Sequence, residues 1–291
     1  MKTAVITDSV SYLSKEMRSH PDIFVIPIPI NFADGREFED SADLADLQSF
    51  LDQIEKEDTL PTTAQPAPGQ YLALVQDIIN QGYEQLFAVH LSSGISGMFA
   101  SVSAYIQEFA DKIDIYMIDS KGATTPMENL IRHIFYLKDE KHLAGAEIAE
   151  KVQWMANHSE IYLMVENMEN LAKGGRINKS IAKIGGALKV RPILYFDEQG
   201  EITLFETVRT TKKVYKRWIE LAKEAVAKYP EGLIICLAHA DNEKEVNELK
   251  EKIRIEIPEY QGEIRVGLLG PVVSTYTGRK ALGIGFTPLA D

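Results

Sequence analysis

Short apolar runs alternate with amphipathic stretches along the first half of the chain. Lys2–Thr7, Leu86–Leu91, Ile113–Ile118 and Ile161–Val165 are nearly continuous in apolar residues, as strands buried on both faces must be. Leu44, Leu47, Leu51 and Ile54 recur at helical spacing, and further helices are predicted through Ile79, over Met98–Ala110, over Met127–Leu137 and over Ala146–Asn157. Ile23–Phe32 is extended, with Pro27 and Pro29 forbidding helix and marking an edge strand. Asp34-Gly35 is a hairpin signal that returns this strand through Phe38. Such alternation implies a mostly parallel sheet with helices on both faces.

The second half has another texture. Val190–Phe196 and Ile202–Val208 flank Asp197-Glu198-Gln199-Gly200, a β-hairpin. An amphipathic helix over 211–229 follows, with Val214, Trp218, Leu221, Ala225 and Val226 on one face. Strands are predicted over Leu233–Ala238 and Glu263–Leu268, with a helix over Glu243–Ile257 between them. Gly270–Phe286 is rich in glycine and small residues and receives no element. His158-Ser159-Glu160 breaks a helix, so the boundary between two α/β domains is placed there, giving residues 1–160 and 161–291.

Ligands of parallel sheets sit beyond the carboxyl ends of the strands. Four polar segments are expected at that edge: Thr7-Asp8-Ser9, Thr62-Thr63-Ala64-Gln65, Ser92–Gly97 and Asp119-Ser120. The third is the most informative. An apolar run stops at Ser92-Ser93-Gly94-Ile95-Ser96-Gly97 and a helix begins at Met98. A helix N-terminus offers unpaired N–H groups and partial positive charge, so the turn suits a carboxylate or a phosphate. Equally, the serines can be helix caps and the glycines turn residues, with no ligand. No G-x-S-x-G, no P-loop and no G-x-G-x-x-G after a strand occurs, which sets aside a nucleophile elbow and the usual nucleotide loops.

Composition narrows the partners. With 31 basic and 43 acidic residues, the net charge of −12 argues against non-specific nucleic-acid or anionic-membrane binding. The six histidines show no ligand spacing, so no metal site is expected; His90 and His239, at strand ends, read as core histidines. Asp8 reads as a turn or cap residue rather than a catalytic carboxylate. The one cysteine, Cys236, lies in an apolar run and reads as a small hydrophobe. The opening residues are too weakly apolar for a signal peptide, no segment is apolar enough over ~20 residues to span a bilayer, and a cytoplasmic location is expected.

Several segments together resemble the DegV family, which includes the fatty-acid-binding subunits of bacterial fatty acid kinase. Ile6-Thr7-Asp8-Ser9 resembles its first strand, and Thr63-Ala64-Gln65-Pro66-Ala67 its Thr-Ser-Gln-Pro-Ser signature with two serines replaced by alanine. Leu91-Ser-Ser-Gly-Ile-Ser-Gly97 is similar to its Ser-Ser-x-Leu-Ser-Gly turn. Asp119-Ser120, Leu171–Ile177, Lys189–Leu194 with the hairpin, Val208–Lys213 and Gly270–Phe286 also correspond, in order, across the whole chain. The resemblance implies two α/β domains with a ligand cleft between them, no cofactor and no catalytic residue. It implies a long-chain fatty acid whose carboxylate meets Thr63 and Ser93, with Ser92 and Ser96 nearby and the acyl tail in an apolar tunnel. A fatty acid kinase subunit would be the partner.

Two arginine-bearing segments extend this expectation. The glycine pair before Arg176 allows a sharp turn that aims its guanidinium at the headgroup. Arg209, Lys212 and Lys213 sit where positive charge opposes a helix dipole, and so are read as a docking face for an acidic partner. One departure stands out: Tyr276 occupies the place of the family's histidine, and Arg279 and Lys280 stand where proline and glycine are usual. A diverged lipid- or carboxylate-binding module without a kinase partner is the alternative, and an enzyme acting on a small phosphorylated or carboxylated metabolite is a third reading.

Overall fold

The structure is a computed structural model and describes residues 1–166, 168–178, 180–181 and 190–291; Lys189 of the family-like segment lies outside them. A four-stranded, all-parallel sheet is formed by β1 (Thr3–Asp8), β2 (Ile23–Ile26), β6 (Gln85–His90) and β7 (Asp114–Asp119), in the order β2-β1-β6-β7. β1 and β6 are buried along their whole length. Successive side chains feed opposite faces, as strand geometry requires. Ala4 and Ile6 pack with Tyr71, Val75, Met98 and Val102, from helices Pro68–Asn80 and Met98–Tyr105. Val5, Phe87 and Val89 pack with Leu130, Ile134, Val152 and Met155, from helices Thr125–Asp139 and Gly145–His158.

The change of texture after residue 160 is a change of sheet. β8 (Glu160–Met164), β9 (Arg191–Phe196), β10 (Ile202–Val208), β11 (Leu233–His239), β12 (Ile264–Leu268) and β13 (Leu282–Pro288) form a mixed sheet in the order β10-β9-β8-β13-β11-β12. Only β11 and β12 run parallel; β13 is antiparallel to both of its neighbours, β8 and β11. One face is covered by helices Thr211–Lys228 and Glu243–Glu256 around the fully buried Trp218. The other face bears Leu163, Val165, Ala238 and Ala240 and packs with Leu171 and Tyr276.

Three expectations change. Ile23–Phe32 is not one strand: Ile23–Ile26 is the edge β2, while Ile30–Asn31 (β3) belongs to another sheet, and Pro27 and Pro29 mark the break. The Asp34-Gly35 hairpin does pair Ile30 with Phe38 of β4 (Glu37–Phe38), with Gly35 at φ +88°. Thr62–Thr63 (β5) completes this small antiparallel sheet, so Thr63 does not leave a strand of the parallel sheet. Finally, the glycine-rich stretch near the end contains a helix, Pro271–Thr277, and then β13, a central strand. Its glycines hid the strand pattern, because their alternation looks like a loop's.

Candidate functional site

The Ser92–Gly97 turn is divided between two tasks. The Ser92 hydroxyl donates to the Gly200 carbonyl at 2.8 Å, at the tip of the β9–β10 hairpin. A Cβ on Gly94 would lie 2.3 Å from the Gly200 carbonyl carbon, so glycine is required for this approach. Ser93 donates to Asp119 at 2.5 Å, and its N–H meets the same carboxylate at 3.1 Å. Lys121 pairs with that carboxylate at 3.0 Å. These groups hold the hairpin against the parallel sheet. Neither Ser92 nor Ser93 lines the neighbouring cavity. Ser96 and Gly97 do; the Ser96 oxygen also accepts the Met98 N–H at 3.2 Å, at the first residue of the helix that starts there. Of the three serines expected near the carboxylate, Ser96 lines the cavity, while Ser92 and Ser93 are engaged by Gly200 and Asp119.

The cavity has a volume of about 280 Å³ and is walled by residues from both halves of the chain. Val10, Ile95, Met98, Ala123 and Pro126 come from the first half, and Ile161, Leu163, Leu237, Ala238 and Ile284 from the second. Thr63, Gln65, Ser96, Arg176 and Tyr276 supply polar atoms. Thr63 Oγ1 and Tyr276 Oη are 2.7 Å apart, and the Thr63 N–H also points to that oxygen at 3.3 Å. Arg176 lies over the Tyr276 ring, its guanidinium carbon 4.5 Å from the centroid. Gly174 makes the ring's position possible: a Cβ there would lie 2.3 Å from Tyr276 Cδ1. Gly175, at φ +75°, supplies the turn that brings Arg176 back, as the glycine pair suggested. Among the described residues Arg176 is the one charged side chain lining the cavity.

Helix Pro271–Thr277 carries Tyr276, and its start is fixed by a residue the sequence reading missed. Asp40 accepts the Val272 N–H at 3.1 Å and the Tyr12 hydroxyl at 3.0 Å. Burial pushes the Asp40 carboxyl up to about 7, against the lowering effect of its donors Ser9, Val272 and Tyr12. Burial likewise raises Tyr12, so its hydroxyl stays a donor. Asp8 caps no helix. Its carboxylate reaches across to the Leu91 N–H at 2.9 Å and to His90 Nδ1 at 3.1 Å. His90 Nε2 is 2.9 Å from the Tyr71 hydroxyl, a core histidine with both nitrogens engaged. His239 is buried too, and burial holds it below the usual imidazole range. Arg279 reaches Asp52 at 2.5 Å and Glu55 at 2.7 Å on helix Leu44–Ile54 and the residue after it, and also binds Asp241. It is a joint between the halves, away from the cavity lining.

Arg209, Lys212 and Lys213 lie apart from this site. Arg209 follows β10 and the two lysines stand in the first turn of Thr211–Lys228, where Thr210 caps the Lys213 N–H at 3.3 Å. None of the three makes an ion pair with a described residue, whereas Arg217 on the same helix pairs with Glu206 at 3.2 Å. No group of acidic, histidine or cysteine side chains among the described residues is arranged to hold a metal ion. No described helix is long and apolar enough to cross a membrane.

Comparison with known proteins places this geometry. The model of the DegV family of uncharacterised proteins matches residues 2–289. Protein DegV of Bacillus subtilis is 34% identical over 291 residues, covering 98% of each chain. The crystal structure of DegV, a fatty acid binding protein from Bacillus subtilis, superposes with a TM-score of 0.85 at 32% identity over 99% of both chains. The fatty acid binding DegV family protein SAG1342 from Streptococcus agalactiae gives a TM-score of 0.87 at 28% identity over 100% of both.

Proposed function

The chain belongs to the DegV family, and on that premise we propose that it binds a long-chain fatty acid in the cavity between residues 1–160 and 161–291, taken as its two domains. One observation carries the reading: an apolar cavity whose single lining cation among the described residues lies over the Tyr276 ring, whose hydroxyl is hydrogen-bonded to Thr63. A monocarboxylate with a long hydrocarbon tail matches that distribution. Thr63, Ser96 and Tyr276 would orient the carboxylate, and Arg176 would add positive charge above the Tyr276 ring. A hydrogen bond to an ionised group contributes roughly 1.5–3 kcal/mol, and each buried methylene about 0.8 kcal/mol before binding costs. The tail thus dominates affinity while the hydroxyls fix orientation.

In this reading the protein is a carrier in the cytoplasm without catalytic groups of its own. It presents the carboxylate to a kinase for acyl-phosphate formation. Arg209, Lys212 and Lys213, without an ion pair among the described residues, support a docking face for an acidic partner. Tyr276, in the place of the family's histidine, supports the second reading, a lipid-binding module without a kinase. Tyrosine can donate to a carboxylate but cannot become an imidazolium near neutral pH.

Native mass spectrometry of the purified protein should reveal a bound fatty acid; a polar metabolite in its place would refute the proposal. In delipidated protein, Thr63→Val with Ser96→Ala should weaken oleate binding at least tenfold, about 1.4 kcal/mol. Ser93→Ala should leave affinity unchanged and lower stability by roughly 1 kcal/mol. Reversing Arg209 and Lys213 to glutamate should leave oleate affinity intact and weaken association with a fatty acid kinase in a salt-dependent way.

A further inference from the structure

Glycine inside a strand is costly unless something needs the space its side chain would fill. Gly283 and Gly285 are such residues, on the central strand β13. Neither has the positive φ that favours glycine. Nor does packing demand them. A Cβ on Gly283 would meet only the Tyr162 carbonyl oxygen, at 3.5 Å, and one on Gly285 would meet Pro126 Cγ at 3.4 Å, both ordinary contacts. By contrast, a Cβ on Gly94, Gly122 or Gly174 would collide at 2.3 Å. Both strand glycines line the cavity, while Ile284 between them and Leu282 and Phe286 on either side pack into the helix-covered core. Their missing side chains leave a trough along the sheet.

The trough has a direction and an end. β13 begins beside Ala281 and Ala240, which share a cluster with Tyr276, so Gly283 is nearer the headgroup end and Gly285 farther along. The next position on that face, about 7 Å on, is Thr287, which is fully buried. Asn129 Nδ2 donates to Thr287 Oγ1 at 3.2 Å and to Cys236 Sγ at 2.8 Å, while Asn129 Oδ1 accepts from Arg265 at 2.8 Å. Behind this layer Asn129 and Arg265 line a separate cavity of about 550 Å³. A hydrocarbon tail pushed past Cys236 would have to break these bonds, each of which costs about 1–3 kcal/mol when a buried group is left unpaired.

We propose that the Gly283–Gly285 trough, closed by the hydrogen-bonded wall of Cys236, Asn129 and Thr287, sets the maximum acyl-chain length this protein accepts. The inference rests on the fatty-acid reading above and deepens it. Burial also pushes the Cys236 thiol up to about 12, so the wall is neutral and unreactive.

The test measures affinities of delipidated wild type, Gly285→Ala, Gly285→Val and Cys236→Ala for saturated acids from decanoate to eicosanoate, by displacement of a fluorescent fatty acid. Each excluded methylene should cost about fourfold in affinity. Gly285→Val should therefore weaken octadecanoate binding by about tenfold or more and leave decanoate within about twofold. Gly285→Ala, whose Cβ fits at ordinary contact distances, should shift the profile the same way by less. Cys236→Ala should move the optimum toward longer acids. A uniform change at all lengths, or no change, overturns the length assignment while leaving fatty-acid binding intact. Failure of the wild type to bind any of the acids overturns both.

Discussion

The carboxyl edge of the parallel sheet and the inward face of the mixed sheet meet at one cavity but are built on opposite plans. At the edge, Asp8, His90, Ser92 and Asp119 are buried polar groups bound to one another, to backbone N–H groups or to the β9–β10 hairpin. On the mixed sheet, the lining positions are apolar and without charge, and Ala238, Cys236, Gly283 and Gly285 among them are small. Polar density therefore marks where the halves are fastened together, and missing side-chain volume marks the cavity. Among the described residues Thr63, Gln65, Ser96, Arg176 and Tyr276 bring polar chemistry to the cavity, and of these Ser96 follows a strand of the parallel sheet.

The strongest way to break this contrast is at Asp8. Its carboxylate and His90 are both fully buried. Removing one partner of such a pair strands the other, at a cost of about 3–5 kcal/mol. Asp8→Ala should lower the urea midpoint accordingly, with Asp8→Asn losing less because it keeps an acceptor for the Leu91 N–H. Fatty-acid affinity of the remaining folded protein should be unchanged. A stability loss below about 1 kcal/mol together with lost binding would make Asp8 a ligand residue and invert the comparison.

What the sequence made legible follows the same division. The parallel sheet and its helices could be read because their apolar periods are unbroken, and the polar turns because serine, glycine and aspartate have strong local preferences. The turn chemistry was visible, but its allocation was not. Ser92, Ser93 and Ser96 carry the same hydroxyl, and which of them lines the cavity depends on the distant Gly200 and Asp119, which engage the first two. Thr63 stood in a polar segment expected at the ligand edge, but its strand was not legible, since it is two residues long. β13 was invisible for a physical reason: the glycines that open the cavity wall are those that erase a strand's pattern. Asp40 gave no signal, because its partners Tyr12 and Val272 are remote along the chain.

Asp40 sharpens the contrast through pH. An acid whose folded pKa is raised contributes stability that is complete below its unfolded value, near 3.9, and is lost as the pH rises through the folded one. With Asp40 at about 7, that loss falls between about pH 4 and 7. Its Oδ2 has no hydrogen-bond partner in the structure, and Asp8 adds repulsion to the effect of burial. The lowered His133 and His239 act in the opposite sense, giving stability that is lost as the pH falls, so the measurement must be a difference. Asp40→Asn keeps an acceptor for the Val272 N–H. Relative to this variant, the wild type should lose on the order of 2 kcal/mol between pH 5 and 7. Parallel stability curves for the two proteins would show that Asp40 does not titrate in this range.

The smallest effect belongs to Arg279, which joins the two halves at the surface. Its side chain is 22% exposed, but Asp52 and Glu55 are 65% and 54% exposed, so solvent screens most of their attraction. Single exposed pairs contribute about 0–1 kcal/mol. Here one cation holds three carboxylates, and Gln48 adds a hydrogen bond to Asp241 at 2.8 Å. Arg279→Ala leaves those carboxylates facing one another without their shared cation. The expected loss is therefore about 1 kcal/mol at low ionic strength, shrinking as added salt shortens the screening length. Ligand affinity should not follow it, because Thr63 and Tyr276 are held through their own hydrogen bond and through Asp40. If affinity falls in step with stability and recovers with salt, Arg279 fastens the cavity as well as the halves. The division between polar joints and an apolar ligand space would then fail at this point.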